Sequence, residues 1–511
     1  MKHFNYKNNG KIFSRIFFWI LIVALNNIFS QSVITKGPYL SEPENTSIII
    51  RWESSKVLPF VVKYGSEKNL NNLQIAKKIG NHSNRYLYEA KIEKLIPGKK
   101  YYYQVISDTV KSNVGYFKCK TPQDEALTFV VIGDSRSNPK VFSEISEKVY
   151  HDNPELIISV GDLVRKGGIY EEWEKYFFGV TKKIIDHIPL IPSLGDHEGS
   201  NDEGKLFTYF FFPRMSYKKL WYSYNYGNAH FVVLDYRYPE NEEMIEWFKN
   251  DMSKSKSKWN FVYMHRPCYN LGGHCSAWGR EIWPKLFNQY KIDIVFAGHS
   301  HLYERFYPVK PYDTPDAHPV TYITSGGSGA SLYKAGSNPV LAFSKSVYHY
   351  VTVKINKDKI NLKVYLKDGS LLDSISWKKN GDDLNKIVKY QDELDIVGMI
   401  MNSTSKQIER LPMKEIPATM EFELKPVFYK GDLEIKISLT EESKKYYEMK
   451  EVCDTIKNAE PTKFIVKIFA KGDMTVSKWG EITPEIKLKV DYKSSLFSGS
   501  VISKAIEYDA Y

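Results

Sequence analysis

The sequence has few cysteines and no long apolar run after its first 30 residues. Four cysteines among 511 residues are too few for a fold of this length to be stabilised mainly by disulfide bonds. No later stretch approaches the roughly 20 apolar residues that a membrane-spanning helix needs, so no transmembrane segment is expected in the mature chain. The lysines are spread along the chain and form no basic cluster interleaved with aromatic residues, so no nucleic-acid partner is expected.

The composition indicates several ordinary globular domains. Hydrophobic residues make up 42% and aromatic residues 14% of the chain, which excludes a largely disordered protein. A single core stops growing at about 250–300 residues, so we expect two to four domains. The 71 basic and 60 acidic residues give a net charge of +11, which favours anionic substrates through long-range steering. The oligomeric state is not predicted.

The first 30 residues resemble a secretory signal peptide. Four basic residues precede the apolar run Ile16–Leu25, which is followed by polar residues and the small Ser30. This order predicts cleavage after Ser30 and export of the chain as a secreted, periplasmic or cell-surface protein. The alternative is an uncleaved anchor, but a run of about ten residues is short for that.

Five acid and histidine blocks form the most informative pattern. Each follows an apolar run that reads as a buried strand, and most contain a glycine. The blocks are Gly133-Asp134, Gly161-Asp162, Gly195-Asp196-His197-Glu198, His265 and Gly298-His299-Ser300-His301. The preceding strands are predicted at 127–132, 156–160, 188–194, 260–264 and 292–297. Carboxylates and imidazoles on loops at strand ends suit a pair of divalent metals.

Between these strands, apolar residues have helical spacing at 169–178, 240–252 and 278–290, which predicts helices there. Alternating strands and helices predict that the catalytic domain, residues 125–379, is an α/β sandwich. The segment 35–122 shows short strands with Gly and Asn turns, which predicts an all-β sandwich of the fibronectin type III or immunoglobulin type. Residues 380–511 are expected to form a linker and a β-rich C-terminal domain of unknown role.

These motifs resemble the calcineurin-like metallophosphoesterases, and within them the purple acid phosphatase-like branch. The resemblance extends from about Thr35 to Trp377 and includes His265-Arg266-Pro267, His301-Leu302-Tyr303-Glu304-Arg305 and Ser325-Gly326-Gly327-Ser328-Gly329. It implies a four-layer fold with two mixed sheets flanked by helices. The segment 35–122 is similar to the β-sandwich that precedes the catalytic domain in this branch.

The resemblance also implies a dinuclear centre of iron, zinc or manganese. One metal would be held by Asp134, Asp162 and His301. The other would be held by Asp162, Asp196, His265 and His299, with Asp162 bridging the two. His299 and His301 alternate on an extended segment, so the two imidazoles can bind two neighbouring ions only if the backbone turns there, which Gly298 would permit.

His197 follows the ligand Asp196, and the matching family histidine contacts substrate and can protonate the leaving group. Imidazoles suit this role because histidine changes charge near neutral pH. The alternative is a hydrogen bond from His197 to Asp196 or Glu198 that only orients a ligand.

Three positions depart from the family pattern. Arg165 replaces the tyrosine expected three residues after the bridging aspartate, so no purple colour is expected. Arg136 replaces the histidine that other branches place two residues after the first aspartate. Asp196 replaces asparagine, and its charge would offset Arg136 and Arg165 if they lie nearby. The two arginines could grip a substrate phosphate, with Lys166 adding a charge, or could be exposed loop residues.

Cys268 and Cys275 lie close in sequence beside His265, in a chain predicted to be exported. They could form a disulfide. The alternative is that Cys268 packs beneath the site.

The leading hypothesis is an exported metal-dependent hydrolase acting on phosphate monoesters through a metal-activated hydroxide. A phosphodiesterase or nucleotidase of the same fold is a close variant, so a phosphorylated small molecule or a nucleotide is the expected substrate. A second hypothesis is a surface binding protein with a weakened metal site, suggested by Arg136, Arg165 and Asp196.

Overall fold

The described residues fold into three regions along the chain. The computed structural model describes residues 33–108, 110–119, 126–274, 276–314, 316–336, 338–379, 383–427 and 429–509. The predicted signal peptide, residues 1–30, lies outside them. So does Cys275, and with it the possible disulfide to Cys268.

The N-terminal region is a sandwich of two four-stranded antiparallel sheets. Their orders are β1-β2-β6-β5 and β4-β3-β7-β8. The strands are β1 (Ile34–Ser41), β2 (Ile48–Ser54), β3 (Val61–Gly65), β4 (Asn72–Ile75), β5 (Lys77–His82), β6 (Arg85–Ile92), β7 (Lys100–Ile106) and β8 (Gly115–Lys118). In β7 every second side chain, Tyr101, Tyr103 and Val105, is buried, as a strand with one face on a core requires. The assignment of this sandwich to the fibronectin or immunoglobulin type stays a prediction.

The region predicted to be catalytic, residues 126–379, contains two mixed sheets and is called the catalytic region. The first has the order β11-β10-β9-β20-β21-β22 and the second β12-β13-β14-β15-β18-β16-β19. The strands are β9 (Leu127–Ile132), β10 (Leu156–Ser159), β11 (Leu190–Pro192), β12 (Tyr222–Tyr226), β13 (Ala229–Val233), β14 (Trp259–Tyr263), β15 (Ile294–Ala297), β16 (Tyr303–Phe306), β17 (Val309–Lys310), β18 (Thr321–Ser325), β19 (Leu341–Lys345), β20 (His349–Asn356), β21 (Lys359–Leu366) and β22 (Leu371–Lys378). Strands β9, β10 and β11 run parallel to one another, as do β13, β14, β15 and β18.

Helices flank both sheets. They are α1 (Pro139–Asp152), α2 (Tyr170–Trp173), α3 (Gly179–Ile185), α4 (Asp196–Gly199), α5 (Lys205–Phe211), α6 (Glu242–Lys254), α7 (Trp283–Gln289) and α8 (Gln391–Ser403). A π-helical segment, Glu174–Phe178, joins α2 to α3, and short 3-10 turns occur at Asn385–Ile387 and Ser443–Lys445. The side chains of Asn138 and Asn241 accept backbone N–H groups at the starts of α1 and α6, which satisfies donors that have no partner within the helix.

The layers pack through separate hydrophobic clusters. Aromatic and β-branched residues such as Phe129, Phe231 and Phe261 fill the space between the two sheets. A second cluster lies between the first sheet and α1, α3 and α5. The outer face of the second sheet packs against α6 and α7. The predicted four-layer α/β fold with an N-terminal all-β sandwich is therefore confirmed.

The C-terminal region is rich in strands, as expected. Its sheets have the orders β24-β28-β26 and β27-β25-β31-β32, with a two-stranded pair β29-β30, while β23 pairs with β17. The strands are β23 (Lys389–Tyr390), β24 (Ala418–Leu424), β25 (Leu433–Leu439), β26 (Tyr447–Met449), β27 (Val452–Ile456), β28 (Thr462–Ala470), β29 (Thr475–Val476), β30 (Ile482–Thr483), β31 (Leu488–Lys493) and β32 (Ser498–Ile502). One continuous hydrophobic cluster joins these sheets, α8 and the helices α6 and α7.

Among the described residues, no helix has both the length and the apolar character needed to cross a membrane.

Candidate metal centre

The candidate ligands lie where strands of the two sheets end. Asp134 and Asp162 follow β9 and β10, and Asp196 opens α4 after β11. His265 follows β14, and the His299–His301 segment follows β15. Because β9, β10 and β11 are parallel neighbours, as are β14 and β15, each sheet presents its loops at one edge.

Two overlapping groups of donor atoms result. In each group the donor atoms lie within 4.8 Å of one another, and the groups are Asp134 with Asp162 and His265, and Asp196 with His265 and His299. His265 Nε2 lies 3.4 Å from Asp162 Oδ1 and 3.8 Å from Asp196 Oδ2. His301 Nε2 lies 3.5 Å from Asp134 Oδ1. The structure thus brings all six predicted ligand residues together.

Three of the candidate ligands have a left-handed backbone. The φ angles are +53° at Asp134, +59° at Asp162 and +68° at His299. Such angles are uncommon for residues other than glycine, and they concentrate at functional sites. The turn between the two imidazoles is therefore made at His299 and not at Gly298. Gly298 serves a close approach instead, because a Cβ there would lie 2.5 Å from Asp134 Oδ2.

Glu198 ties two ligand loops together from a fully buried position. Its carboxylate accepts the backbone N–H groups of Asp162 at 2.8 Å, Val164 at 3.0 Å and Gly195 at 3.1 Å. Burial, with the carboxylate of Asp162, raises the pKa of Glu198. The three donors stabilise the anion and hold the loops that carry Asp162 and Asp196 in place.

Backbone carbonyls orient two of the imidazoles. His265 Nδ1 lies 2.9 Å from the carbonyl oxygen of Val160, and His301 Nδ1 lies 2.7 Å from that of Ser331. An Nδ1–H that donates to a carbonyl leaves Nε2 as the atom with a lone pair. Burial lowers the pKa of His265, but the carboxylates of Asp162, Asp134 and Asp196 outweigh it and raise the value to about 9.

Asp196 pairs with Arg266, which lies on the loop after β14. Arg266 Nε is 3.0 Å from Asp196 Oδ1, and Nη2 is 3.1 Å from Oδ2. His299 Nδ1 lies 2.9 Å from the same Oδ2. Against burial, His299, His265 and Arg266 hold the pKa of Asp196 well below its usual range. Arg266 thus offsets the negative charge of Asp196, which stands where the family pattern has asparagine. Arg136 and Arg165 have other partners.

The two arginines named from the sequence lie in different places. Arg136 enters the centre, where Nε donates to Asp162 Oδ2 at 3.0 Å and Nη2 to His301 Nε2 at 3.2 Å. Arg165 is exposed, and its Nη1 donates to the hydroxyl of Tyr176 at 3.4 Å. Lys166 is exposed as well.

His197 points toward the centre from the start of α4. Its ring Nδ1 lies 2.5 Å from the carbonyl oxygen of Arg165, and its backbone N–H donates to Asp162 Oδ1 at 3.0 Å. The ring Nε2 lies 3.8 Å from Asp162 Oδ2. The side chain is 34% exposed, so Nε2 is accessible to a molecule entering the cleft.

Two residues beside the centre were missed by the sequence analysis. His274 has its ring 5.6 Å from that of His299, and Tyr333 stacks on His301 at 4.2 Å. Both lie on long loops, several residues away from the end of the preceding strand. The pattern of ligand residues directly after buried strands therefore could not identify them. They line a cavity of about 520 Å³ whose far wall includes Lys487 and Lys504 of the C-terminal region.

The donor set of the second predicted position fits a metal ion. The Nε2 atom of His265 is buried and has no hydrogen-bond partner among the described residues. It faces Asp162 and Asp196, with His299 completing a set of two imidazoles and two carboxylates that suits zinc, manganese or iron. At the first predicted position, Arg136 engages Asp162 and His301, so those residues do not fit an ion in the same way.

Comparisons with known proteins show what this chain is similar to. The calcineurin-like phosphoesterase family model matches residues 127–303, which includes all six candidate ligands. A phosphoenolpyruvate phosphatase of Allium cepa is 25% identical over 390 residues, 65% of this chain and 78% of that protein. Purple acid phosphatase 15 of Arabidopsis thaliana is 28% identical, over 49% of this chain and 54% of that protein. Probable inactive purple acid phosphatase 27 of the same plant is 23% identical, over 64% and 62%.

Solved structures share the fold. The purple acid phosphatase PPD1 from seeds of Lupinus luteus superposes with a TM-score of 0.59 at 19% identity, covering 69% of this chain and 76% of that chain. A structure of PhoD gives a TM-score of 0.56 at 14% identity, covering 69% and 91%.

The fold and the candidate centre are similar to those of metal-dependent phosphoesterases. Residues 127–303 match the calcineurin-like phosphoesterase model, and the chain is similar in sequence to purple acid phosphatases.

Proposed function

We propose that this chain is an exported phosphatase that hydrolyses phosphate monoesters at the centre formed by Asp162, Asp196, His265 and His299. The observation that carries the proposal is the buried Nε2 of His265, which faces two carboxylates and has no hydrogen-bond partner in the described part of the chain. Bound there, a metal ion would activate a water and neutralise charge on the phosphoryl group. The dinuclear centre expected from the family stays a prediction.

His197 is the residue suited to protonate the leaving group. Its Nδ1–H donates to the carbonyl oxygen of Arg165, which fixes the ring and leaves Nε2 directed toward the centre. In the protonated ring Nε2 carries a proton that it can give to a departing alkoxide. Orienting a metal ligand is the alternative role, but the described His197 ring makes no hydrogen bond to Asp196 or Glu198.

Support for export comes from the signal-like segment 1–30 and not from the described residues. Cleavage after Ser30 would give a mature chain that begins at Gln31. Mass spectrometry of the protein from the medium or periplasm tests this, and retention of Lys2–Ser30 on a cell-associated protein would contradict it.

A binding protein with a weakened centre is the second candidate. The contacts of Arg136 with Asp162 and His301 favour it, because they occupy groups that a fully active centre would need. A phosphodiesterase or nucleotidase would use the same centre and differ in the cleft around it.

The decisive experiment compares hydrolysis of p-nitrophenyl phosphate by the metal-loaded wild type and by Asp162→Ala. We expect turnover in the wild type and none in the variant, whereas Asp454→Ala, an exposed acid of the C-terminal region, retains activity. Faster cleavage of bis-p-nitrophenyl phosphate would move the function to a diesterase. No hydrolysis of either ester with manganese, zinc or iron would favour the binding protein.

A second variant tests the role of His197. Because p-nitrophenolate leaves without a proton, His197→Gln should reduce turnover of this ester only slightly. For an alkyl phosphate such as glycerol phosphate, the same variant should lose about 10²–10⁴-fold. Equal losses on both esters would assign His197 to positioning and not to proton transfer.

A further inference from the structure

The guanidinium of Arg136 lies among the candidate ligands of the first metal position. Nε donates to Asp162 Oδ2 at 3.0 Å, Nη2 to His301 Nε2 at 3.2 Å and Nη1 to Ser137 Oγ at 3.3 Å. The backbone N–H of Arg136 also donates to the carbonyl oxygen of Asp162 at 3.1 Å. The side chain is 16% exposed, so it is held within the centre and not in solvent.

The contact with His301 excludes metal binding by that residue. Since Nδ1–H donates to the carbonyl of Ser331, Nε2 has the only lone pair in the ring plane that is free to accept a proton or bind a metal. The Arg136 guanidinium, which stays protonated in proteins, donates a hydrogen bond to that lone pair. A carboxylate has several lone pairs, so the pairing of Arg266 with Asp196 leaves that oxygen able to bind an ion.

Two carboxylates then remain at the first position, because the His265 that completes their group of donor atoms also belongs to the second group. Asp134 Oδ1 is buried and has no hydrogen-bond partner among the described residues, whereas Asp162 Oδ2 accepts from Arg136. Protein metal sites of this kind use three or more ligand groups. By contrast, the second position keeps His265 Nε2, His299, Asp196 and Asp162 Oδ1 within reach of one another.

We propose that Arg136 takes the place of the first metal, so that this centre holds one ion together with a fixed guanidinium cation. Arg136 supplies one positive charge beside Asp134 and Asp162, where the family pattern predicts a metal ion. The inference rests on the same centre as the proposed function, yet it concerns ion number and not catalysis.

Metal stoichiometry tests the inference without reference to activity. The full-length mature chain is stripped with a chelator, saturated with Mn²⁺ or Zn²⁺, freed of excess ion and analysed by elemental analysis. We expect about one equivalent in the wild type and about two in Arg136→His, which removes the guanidinium and adds an imidazole. Bound Mn²⁺ should give the six-line EPR spectrum of an isolated ion in the wild type and that of a coupled pair in the variant.

Two further variants keep the result interpretable. Arg136→Ala removes the guanidinium without adding a ligand and should also exceed one equivalent, which covers the case in which Arg136→His does not fold. Arg165→Ala should stay at one equivalent, because Arg165 contacts Tyr176 outside the centre. Two equivalents or none in the wild type would overturn the inference, as would one equivalent in both folded Arg136 variants.

The outcomes separate the inference from the proposed function. One bound ion without hydrolysis of any phosphate ester leaves the inference standing and rejects the phosphatase. Two bound ions with hydrolysis of a phosphate ester reject the inference and leave the phosphatase standing.

Discussion

At the scale of single residues, the centre depends on side chains that hold ligands in place without binding metal themselves. Glu198 accepts three backbone N–H groups from the loops that carry Asp162 and Gly195. A neutral amide offers one acceptor oxygen where the carboxylate offers two, so at least one of these N–H groups would lose its partner.

We therefore predict that Glu198→Gln weakens metal affinity by about 10–100-fold, the usual effect of removing a group that orients ligands. Isothermal titration of the metal-free protein with Zn²⁺ measures this. Glu171→Gln, an exposed glutamate on α2, serves as the control and should bind as the wild type does. Unchanged affinity in Glu198→Gln would show that the loops hold their shape without it.

His349 makes the fold sensitive to acid. The ring is fully buried, with Nε2 3.1 Å from Ser325 Oγ and Nδ1 3.0 Å from the carbonyl of Val347. Burial lowers the pKa of His349 to about 4. In the unfolded chain a histidine titrates near 6.5, so below that pH the unfolded state binds a proton that the folded state does not. Stability from this residue is therefore present above about pH 6.5 and is lost as the pH falls toward 4.

Between pH 7.5 and pH 5, this single group should lower the free energy of unfolding by about 2 kcal/mol. Urea unfolding of the wild type and of His349→Gln at both pH values isolates the effect. The variant is expected to be less stable at pH 7.5 but to change less with pH. Parallel losses in the two proteins would mean that His349 is protonated in the fold.

At the scale of elements, the sequence predicted strands better than helices. The strand Leu127–Ile132 was predicted with the bounds that the structure gives, whereas the helix predicted at 278–290 begins only at Trp283. Gly279 has φ +53°, and Arg280 Nε donates to the carbonyl of Cys268, so the chain before α7 forms a loop. Apolar periodicity cannot reveal such tertiary contacts, because Trp278 in the loop and Trp283 in the helix are both buried.

The same limit applies to the centre. Strand ends carrying glycine and a ligand are local signals, so Asp134, Asp162 and His265 could be selected from the sequence. The pairing of Asp196 with Arg266 joins loops 70 positions apart in the chain. The contact of Arg136 with His301 spans 165 positions. Without an alignment or a fold, nothing in the sequence indicates which cation meets which ligand.

The loop containing Gly336 lines the cavity between the centre and the C-terminal region. A Cβ at Gly336 would meet nothing within 4 Å in the described part of the chain, so a large side chain there fits without strain on its own backbone. If the leaving group of a nucleotide enters this cavity, Gly336→Trp should raise KM for nucleotide monophosphates, while p-nitrophenyl phosphate, with its smaller leaving group, should be hydrolysed as before. Gly472→Trp is the matched control, since that glycine has equally open surroundings on the C-terminal region. Equal kinetics in both variants would place the leaving group outside this cavity.

At the scale of the whole molecule, a network around the buried Arg51 connects the N-terminal sandwich to the catalytic region. Arg51 has a fully buried side chain that contacts Glu42 and Glu89 within the sandwich. Its Nη1 also donates to the carbonyl of Phe211 in α5 at 2.8 Å. Arg214 from the catalytic region contacts the same Glu89. Removing one partner from such a network leaves buried charges uncompensated.

Arg51→Met should therefore destabilise the protein by about 3–5 kcal/mol and lower its unfolding temperature by several degrees. Lys91→Met breaks a solvent-exposed pair with Glu93 and should change stability by less than about 1 kcal/mol. Thermal unfolding followed by circular dichroism compares them. Similar unfolding temperatures for the two variants would show that the interface depends on apolar packing alone.

The C-terminal region shares one hydrophobic cluster with α6, α7 and the outer face of the second sheet. It is thus part of the catalytic body and not a tethered module, which explains how Lys487 and Lys504 come to wall a cavity beside His274.

The most direct test of the account is a metal titration of the stripped, full-length mature protein with hydrolysis of p-nitrophenyl phosphate measured at each step. The account predicts no turnover without metal, a rise with added Mn²⁺ or Zn²⁺, and saturation near one bound equivalent. His265→Ala, which removes the buried Nε2 at the centre, should show no rise. Turnover that is independent of metal, or full metal binding without hydrolysis, would contradict the claim that this centre is the active site of a phosphatase.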